Sequence, residues 1–193
     1  MLLITPCGDK LTMVRLFIAV DLSSEVRSKV IAFRDAVSNS GADVKPVEDE
    51  NLHITLRFLG EVRDDLLTEL KHNLSNLSFN SFRMHVKGTG AFPSISSPRV
   101  IWVGVEEGED QLRALHDAVE ELVGKYGVSD EREFTPHITV ARVRGRASVL
   151  GKLINQWRDF DFGWQTVDSV TLKKSTLTPR GPIYEDLLTI RLK

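Results

Sequence analysis

The sequence predicts a mixed fold of strands and helices that is built as two related lobes. The first observation is a repeated pattern, because HITL begins at His53 and HITV begins at His137. The second is the context of each copy, a predicted strand that follows a buried strand and a helix. Val14 lies 39 residues before His53. Val100 lies 37 residues before His137. The recurrence of strand, helix and motif strand at similar spacing is typical of an internal duplication.

Apolar runs, period-two alternation and apolar stripes at helical spacing predict the elements of the first half. These are a strand over 14–20, a helix that ends at Gly41, the motif strand over 51–59, a helix over 64–77 and a strand over 81–87. Ser23 or Ser24 can cap the first helix through its hydroxyl. The stripe of that helix consists of Val26, Val30, Phe33 and Val37. Residues 88–99, GTGAFPSISSPR, are predicted to form a loop from their glycine, proline and serine content.

The second half repeats this order and then adds a tail. Its predicted elements are a strand over 100–105, a helix over 109–126 that Gly127 ends, and the motif strand over 134–143. A helix near 147–158, a strand near 167–174, a turn over 178–182 and a final strand over 183–192 follow. No linker is long enough to separate independent domains, so residues 13–193 are expected to form one bilobal domain.

Composition limits the class of protein. The chain has 193 residues, of which 41% are hydrophobic and 27% charged, and its formal net charge is −2. Such composition is ordinary for a globular domain, and the chain as a whole is no polycation. Cys7 is the single cysteine, so the sequence excludes an intrachain disulfide and a cysteine metal cage, and a reducing, cytoplasmic location is expected. No apolar run approaches the roughly 18 residues of a membrane span, so no membrane partner is expected.

Residues 1–12 have two interpretations. MLLITPC has no basic leader and is a poor signal peptide. Met13 begins MVRLFIAVDL. The first twelve residues are therefore either an N-terminal extension with an alternative start at Met13 or an ordered N-terminal strand, and the sequence leaves both open.

The two motifs place polar side chains together on one face of a strand. Residues i and i+2 of an extended strand point the same way, so His53, Thr55 and Arg57 share a face. His137 and Thr139 share the corresponding face of the second motif. If duplicated lobes pack about a pseudo-twofold axis, the two polar patches meet across a groove. One HxT pattern is a weak signal, but two copies in the same context favour a functional site.

Two opposed histidines suit an in-line displacement at phosphorus. One imidazole takes a proton from the attacking oxygen and the other gives a proton to the leaving oxygen, which is typically worth about 10²–10⁴ in rate. Free imidazole titrates near ~6.5, so both forms are available at neutral pH. Hydroxyls of Thr55 and Thr139 would donate to the nonbridging phosphoryl oxygens. The scheme needs no metal and no other cofactor, and HExxH, GxGxxG and GxxxxGK[ST] are absent from the sequence.

A basic segment follows the second motif. Residues 141–152, ARVRGRASVLGK, carry four basic residues and no acidic one. This segment is interpreted either as a surface that attracts a phosphodiester backbone or as a basic edge strand that discourages sheet extension. The remaining histidines are assigned to other roles: His72 and His85 to the solvated surface, and His116 to the boundary of a helix.

The residues quoted so far resemble the two-histidine phosphoesterase superfamily and, within it, the RNA 2′,3′-cyclic phosphodiesterases, historically called 2′-5′ RNA ligases. The similar segments are RLFIAVDL, ENLHITLRFLGEV, GAFPSISSPRVIWVGVE, FTPHITVARVRG and STLTPRGPIYEDL. The resemblance implies an α+β fold of two pseudo-symmetric lobes, each with a largely antiparallel sheet and outer helices, with the active-site groove between them. It also implies metal-independent opening of a 2′,3′-cyclic phosphate to a 2′-phosphomonoester.

The same resemblance implies roles for individual residues. His53 corresponds to the proton donor for the leaving 3′ oxygen, and His137 to the base that activates water. Thr55 and Thr139 correspond to phosphate-binding threonines, and Arg142 to a phosphate-contacting arginine. The aromatic ring at residue 58 corresponds to one that can stack on a base. Strand alternation, however, turns Arg142 and this ring away from the motif histidines unless a bulge intervenes, and it favours Arg57 as an additional phosphate contact.

The expected partner is RNA with a 2′,3′-cyclic phosphate terminus, with tRNA fragments as one candidate class. A monomer is expected, because the two lobes already supply an internal pair of histidines. Three alternatives remain open from the sequence: ATP-independent 2′-5′ RNA ligation, a noncatalytic RNA-end-binding module, and a globular domain whose histidines only pack.

Overall fold

The computed structural model describes residues 12–128 and 133–193. Both interpretations of the first twelve residues therefore fall almost entirely outside the described part of the chain. The strands are β1 (Met13–Asp21), β2 (Val44–Pro46), β3 (His53–Arg63), β4 (Phe82–Ser94), β5 (Ser97–Glu107), β6 (His137–Val143), β7 (Asp161–Val167), β8 (Ser169–Thr178) and β9 (Gly181–Arg191). The helices are α1 (Ser24–Ser38), α2 (Leu67–Leu74), α3 (Glu109–Val123) and α4 (Leu150–Gln156).

The strands form one antiparallel sheet in the order β7-β4-β5-β6-β3-β1-β8-β9, and β2 pairs with the end of β6. Four strands on each side of the centre make a first half-sheet (β3, β1, β8, β9) and a second half-sheet (β7, β4, β5, β6). The two motif strands are the innermost strands, and a single residue pair, Ile54 with Ile138, joins them. The predicted α+β architecture of two related halves is confirmed. The two half-sheets are continuous at this pair rather than separate.

Helices α1 and α3 cross between the halves. Helix α1 follows β1 of the first half-sheet but packs against β2, β6 and β7. Helix α3 follows β5 of the second half-sheet and packs mainly against β3 and α2. Each half therefore buries a helix that the other half supplies, which ties the two halves together more firmly than the single bridge in the sheet.

The sequence of α1 explains why it forms and what it buries. Ser23 is its N-cap, and the hydroxyl accepts a hydrogen bond from the amide of Val26 at 3.3 Å. The predicted stripe is fully buried: Val26, Val30, Phe33 and Val37 each have 0% exposure. Burial of each such side chain contributes about 1.5–3 kcal/mol, so the stripe fixes the helix on the second half-sheet.

The predicted loop over 88–99 was wrong, because β4 and β5 extend through it as a hairpin. Gly90 in this segment is required by packing, not by a turn. A Cβ on Gly90 would overlap the Trp102 ring, so the absence of a side chain admits that ring. Thr89 and Ala91 are buried and pair with β5. The strand predicted near 167–174 is confirmed as β8, whereas β7, which ends just before it at Val167, was not predicted.

None of the helices in residues 12–128 and 133–193 is long and apolar enough to cross a bilayer.

Candidate active site

The motif strands bring their polar residues to one cavity. The cavity has a volume of about 450 Å³, and His53, Thr55, His137 and Thr139 all line it. Ile54 and Ile138 pair across the strands and are fully buried, so their neighbours in sequence point to the opposite face of the sheet. The antiparallel direction sets each histidine beside the threonine of the other motif.

The spacing of the sheet fixes the distance between the two histidines. Neighbouring strands lie about 4.8 Å apart, and i to i+2 covers about 6.7 Å, so the two histidines lie on a diagonal of about 8 Å between Cα atoms. The two threonines occupy the other diagonal. Imidazoles on such a diagonal can approach one phosphoryl group from opposite sides.

Both histidines are held in the same tautomer. Nδ1 of His53 lies 2.7 Å from the carbonyl oxygen of Asn51, and Nδ1 of His137 lies 2.7 Å from that of Thr135. A carbonyl only accepts, so each Nδ1 carries the proton and each neutral ring presents an unprotonated Nε2. Nε2 of His53 then accepts from the Thr55 hydroxyl at 2.9 Å. The local fold thus orients both rings through the residue two positions earlier in the chain.

Burial keeps both imidazoles neutral in the free protein. Desolvation lowers the pKa of His53 from 6.5 to about 4, and the charges of Lys173 and Arg27 act in the same direction. Desolvation, with a smaller contribution from Arg142, also lowers the pKa of His137. The hydrogen bonds to the carbonyls of Asn51 and Thr135 oppose these shifts. An anion in the cavity would favour the protonated forms.

A bulge in each motif strand resolves the conflict that strand alternation raised. In the β1–β3 pairing, Ala19 pairs with Thr55 and Ile18 pairs with Arg57, so Leu56 is the additional residue. In the β5–β6 pairing, Val140 is skipped in the same way between Thr139 and Ala141. Each bulge therefore follows the motif threonine directly.

The bulges change which later residues face the cavity. A bulge reverses the alternation beyond it. Phe58 and Arg142 accordingly line the cavity, as the resemblance implied and strand alternation did not. Both lie five positions after their motif histidine, so the two halves are built alike.

Arg57 is the residue for which the bulge makes the sequence-based expectation wrong. Its side chain is 3% exposed and forms an ion pair with Glu120 on α3. It also donates to the carbonyl oxygens of Phe58 at 3.0 Å and Val128 at 2.7 Å. These contacts hold Arg57 against α3, behind the strand and away from the cavity.

Several cavity residues have no motif that would have singled them out. Lys45 pairs with Arg142 across β2 and β6, so two cations lie side by side at one wall. Arg15 lies over the Phe58 ring at 4.7 Å. Tyr184 packs edge-on against His53 at 5.6 Å, and burial raises the pKa of its phenol. These residues come from β1, β2 and β9, so their proximity follows only from the topology.

The hairpin of β8 and β9 closes one side of the cavity. Ser175, Leu177, Pro182 and Tyr184 of this hairpin line it. The buried Asn51 donates from Nδ2 to the carbonyl oxygen of Pro182 at 2.9 Å. One residue therefore orients His53 through its own carbonyl and anchors the hairpin tip through its side chain.

An ion network lies beside His53. Lys173 contacts Asp21 at 3.0 Å and Asp186 at 2.6 Å. Thr171 donates to the other oxygen of Asp21 at 3.2 Å. The nearby charges oppose one another, since Lys173 lowers the pKa of His53 and Asp21 raises it.

The other histidines lie outside the cavity. The expectation of a solvated His85 was wrong: it is 8% exposed, stacks on Trp164 at 4.5 Å and contacts Asp161 at 2.9 Å. His116 stacks on Phe134 at 4.5 Å and bonds to the carbonyl oxygen of Leu56. His116 thus holds the first bulge from the α3 side. His72 is exposed on α2, as expected.

Comparison with known proteins agrees with this arrangement. The model of the family described as LigT like Phosphoesterase matches the chain twice, over residues 20–102 and 103–184. An RNA 2′,3′-cyclic phosphodiesterase of Aeropyrum pernix is 42% identical over 166 residues, which are 84% of this chain and 94% of the relative. One of Archaeoglobus fulgidus is 42% identical over 173 residues, 90% of this chain and 97% of the relative.

Solved structures of similar fold support the same family assignment. E. coli LigT complexed with 3′-AMP superposes with a TM-score of 0.79 at 27% identity, covering 94% of this chain and 99% of the other. TT0787 of Thermus thermophilus superposes with a TM-score of 0.73 at 34% identity, covering 92% and 97%. The double match of one family model supports the duplication that the repeated motif indicated. The chain belongs to the LigT-like phosphoesterase family.

Proposed function

We propose that this protein opens the 2′,3′-cyclic phosphate at the end of an RNA chain to a 2′-phosphomonoester through a pair of histidines. The observation that carries this proposal is the placement of both HxT motifs at one cavity, with the histidines on one diagonal and the threonines on the other. The relatives named as RNA 2′,3′-cyclic phosphodiesterases support the substrate class.

The proposed reaction needs one proton taken and one proton given. Water attacks the phosphorus atom, and Nε2 of His137 takes its proton while the new P–O bond forms. The bond from phosphorus to the 3′ oxygen breaks on the opposite side, and Nε2–H of His53 protonates that oxygen. The products are a 3′ hydroxyl and a 2′-phosphate, and the protein returns to its starting charge when the proton moves back.

Binding of the anionic substrate would let His53 take up the missing proton from solvent. In the free protein Nε2 of this ring accepts from Thr55. A phosphodiester anion raises the pKa of a contacting imidazole, typically by 1–3 units at ~4–6 Å. Protonated His53 no longer accepts from Thr55, so the hydroxyl becomes free to donate to a nonbridging oxygen. Substrate binding thus protonates His53 and at the same time frees the Thr55 hydroxyl to donate to the phosphate.

Arg142 and Thr139 complete the proposed phosphate site from the second half-sheet. Arg142 is exposed, lines the cavity beside His137 and lowers the pKa of that ring. A guanidinium here stabilises the charge that builds on the nonbridging oxygens. RNA ends of this kind, tRNA fragments included, are the proposed substrates, and one copy of the chain carries both histidines.

The test is incubation with a dinucleotide that ends in a 2′,3′-cyclic phosphate, in the presence of excess EDTA. The expected product carries its phosphate on the 2′ hydroxyl. His53→Ala and His137→Ala are each expected to lower kcat/KM by about 10²–10⁴, while His72→Ala on α2 serves as the matched control. Full activity in His137→Ala would remove the proposal. Tight binding of the dinucleotide without turnover in the unaltered protein would instead favour an RNA-end-binding module.

A further inference from the structure

A second groove lies next to the motif cavity. It has a volume of about 390 Å³ and lies between the turn of the β4–β5 hairpin and the connection from β6 to α4. Its lining residues are Ile95, Ser96, Ser97, Pro98, Gly145, Ala147, Ser148 and Gly151. We infer that this groove and the basic residues around it bind the RNA backbone upstream of the cyclic phosphate, an inference that rests on the proposed function.

The two sites are joined by one short stretch of chain. Arg142 lines the motif cavity, and Gly145 lines the second groove. Three residues of extended chain span at most about 10 Å, a distance that a short piece of single-stranded RNA covers. A strand that leaves the cavity past Arg142 therefore meets the second groove next.

Positive charge continues along this path. Arg144 and Arg146 are exposed on either side of Gly145, and Arg99 and Lys152 are exposed next to the groove residues Pro98 and Gly151. Within the described ranges these four side chains take part in no ion pair with a carboxylate. Together with Lys45 and Arg142 in the cavity they form a track of six basic residues on a protein whose net charge is −2.

The backbone of the track is held rather than loose. The amides of Arg144 and Gly145 donate to the carbonyl oxygen of Asp43 at 2.8 and 3.3 Å, and the amide of Asp43 donates to the carbonyl of Arg146 at 2.8 Å. The Asp43 side chain packs against Gly145, so one carboxylate borders this stretch. A fixed backbone keeps the arginines in place before RNA arrives, which lowers the entropic cost of binding.

A groove lined by serine hydroxyls and flanked by unpaired arginines fits phosphate and ribose rather than a particular base. Phosphate contacts of this kind position a nucleic acid without reading its sequence. The track therefore predicts that the protein distinguishes an oligonucleotide from a mononucleotide, and that this preference is sensitive to salt.

The experiment compares two substrates in excess EDTA: adenosine 2′,3′-cyclic phosphate and a short oligoribonucleotide with the same terminus. The variant is Arg144→Gln with Arg146→Gln. The charge-matched control is Arg63→Gln with Arg191→Gln, two exposed arginines at the far ends of β3 and β9. Expected for the track variant is a loss of about tenfold in kcat/KM on the oligonucleotide and none on the mononucleotide. The salt slope on the oligonucleotide should also become shallower, by about 0.7 for each phosphate that the variant no longer neutralises.

The outcomes separate this inference from the proposed function. Equal losses on both substrates, or no loss on either, would overturn the track and leave the hydrolysis intact. Absence of turnover of both substrates by the unaltered protein would overturn the proposed function. In that case the track is tested by fluorescence anisotropy with a labelled oligoribonucleotide that carries a 3′-phosphate. The Arg144/Arg146 variant should bind it more weakly than the unaltered protein does, and the Arg63/Arg191 control should not.

Discussion

His53 is neutral in the free protein because its ring is buried, not because it lacks a partner. The imidazole has a carbonyl on Nδ1 and a hydroxyl on Nε2, yet desolvation outweighs the effect of the carbonyl and lowers the pKa of His53 to about 4. His137 is held in a similar way: its Nδ1 bonds to the carbonyl oxygen of Thr135, two residues earlier, and desolvation lowers its pKa. The two residues that exchange protons in the proposed reaction thus share a tautomer, and burial lowers the pKa of both.

The first prediction concerns the pH dependence of catalysis. The profile of kcat/KM reports the free protein, and both histidines there titrate below 6.5. One histidine must be protonated and the other neutral, so kcat/KM should follow a bell whose maximum lies below 6.5. The profile of kcat reports the complex, where the bound anion raises both pKa values, so its bell should lie at higher pH. Steady-state rates on the cyclic dinucleotide measure both. A kcat/KM maximum above 6.5 would contradict the lowered pKa values.

The second prediction concerns stability. The pKa of His53 is near 6.5 in the unfolded chain and about 4 in the folded one, so between these values the unfolded chain binds the additional proton. The free energy of unfolding should therefore fall as the pH drops from 6.5 to 4, by up to about 3 kcal/mol from this residue. His53→Gln should remove that part of the decline, whereas His72→Gln on the surface of α2 should keep it. Urea unfolding at several pH values measures the difference, and parallel curves for the His53→Gln and unaltered proteins would contradict it.

At the scale of the element, the bulge in each motif strand adds a third side chain to the cavity, beside the histidine and the threonine. This third side chain is Phe58 in the first half and Arg142 in the second. Without the additional residue at Leu56 and Val140, Phe58 and Arg142 would face away from the histidines. The residues that the bulges displace differ: Arg57 turns to α3 in the first half, and Ala141 is buried in the second. The position after the bulge therefore carries a polar residue with a structural role, Arg57, in the first half only.

Glu120→Ala tests the structural role of Arg57. Loss of the carboxylate leaves a buried guanidinium without its ion-pair partner, which we expect to cost about 2–4 kcal/mol. Arg57→Met in the same protein should recover part of this loss, because it removes the unpaired charge. Neither change should alter kcat/KM at a temperature where the protein stays folded. Arg142→Met is the matched comparison: it should lower kcat/KM while leaving the free energy of unfolding nearly unchanged. Thermal unfolding and steady-state rates decide between these patterns.

Part of the site could be predicted from the sequence, and the bulges show where such prediction ends. The repeated HITL and HITV patterns located both histidines and both threonines, because strand alternation holds up to the threonine. It fails one residue later, since a bulge depends on pairing with β1 and β5 and leaves no mark in the strand itself. The same limit applies to Gly90, where a side chain would overlap the ring of Trp102 on β5. Lys45, Arg15 and Tyr184 were missed for the same reason.

For the whole molecule, the exchange of helices explains how the two halves keep the histidines in register. One residue pair would be a weak joint between β3 and β6. Helix α1 leaves β1 of the first half-sheet and covers the second, and α3 does the reverse. Separating the halves would therefore expose two apolar helix faces, so the cavity between the motif strands keeps its width.

Phe33→Ala tests this coupling. Phe33 lies on α1, is fully buried, and packs 5.3 Å from the Trp157 ring and 6.2 Å from the Phe162 ring. The truncation leaves a cavity, and we expect a loss of about 3–5 kcal/mol in the free energy of unfolding. If the halves unfold together, amide hydrogen exchange should accelerate in the core strands of both half-sheets by the same factor, although Phe33 packs on the second. Ile31→Ala, on the partly buried flank of the same helix, is the milder control. Faster exchange confined to β6 and β7 would show that the halves unfold separately, since global and local opening are distinguished by where protection is lost; in that case the crossed helices would not be what holds the two histidines together.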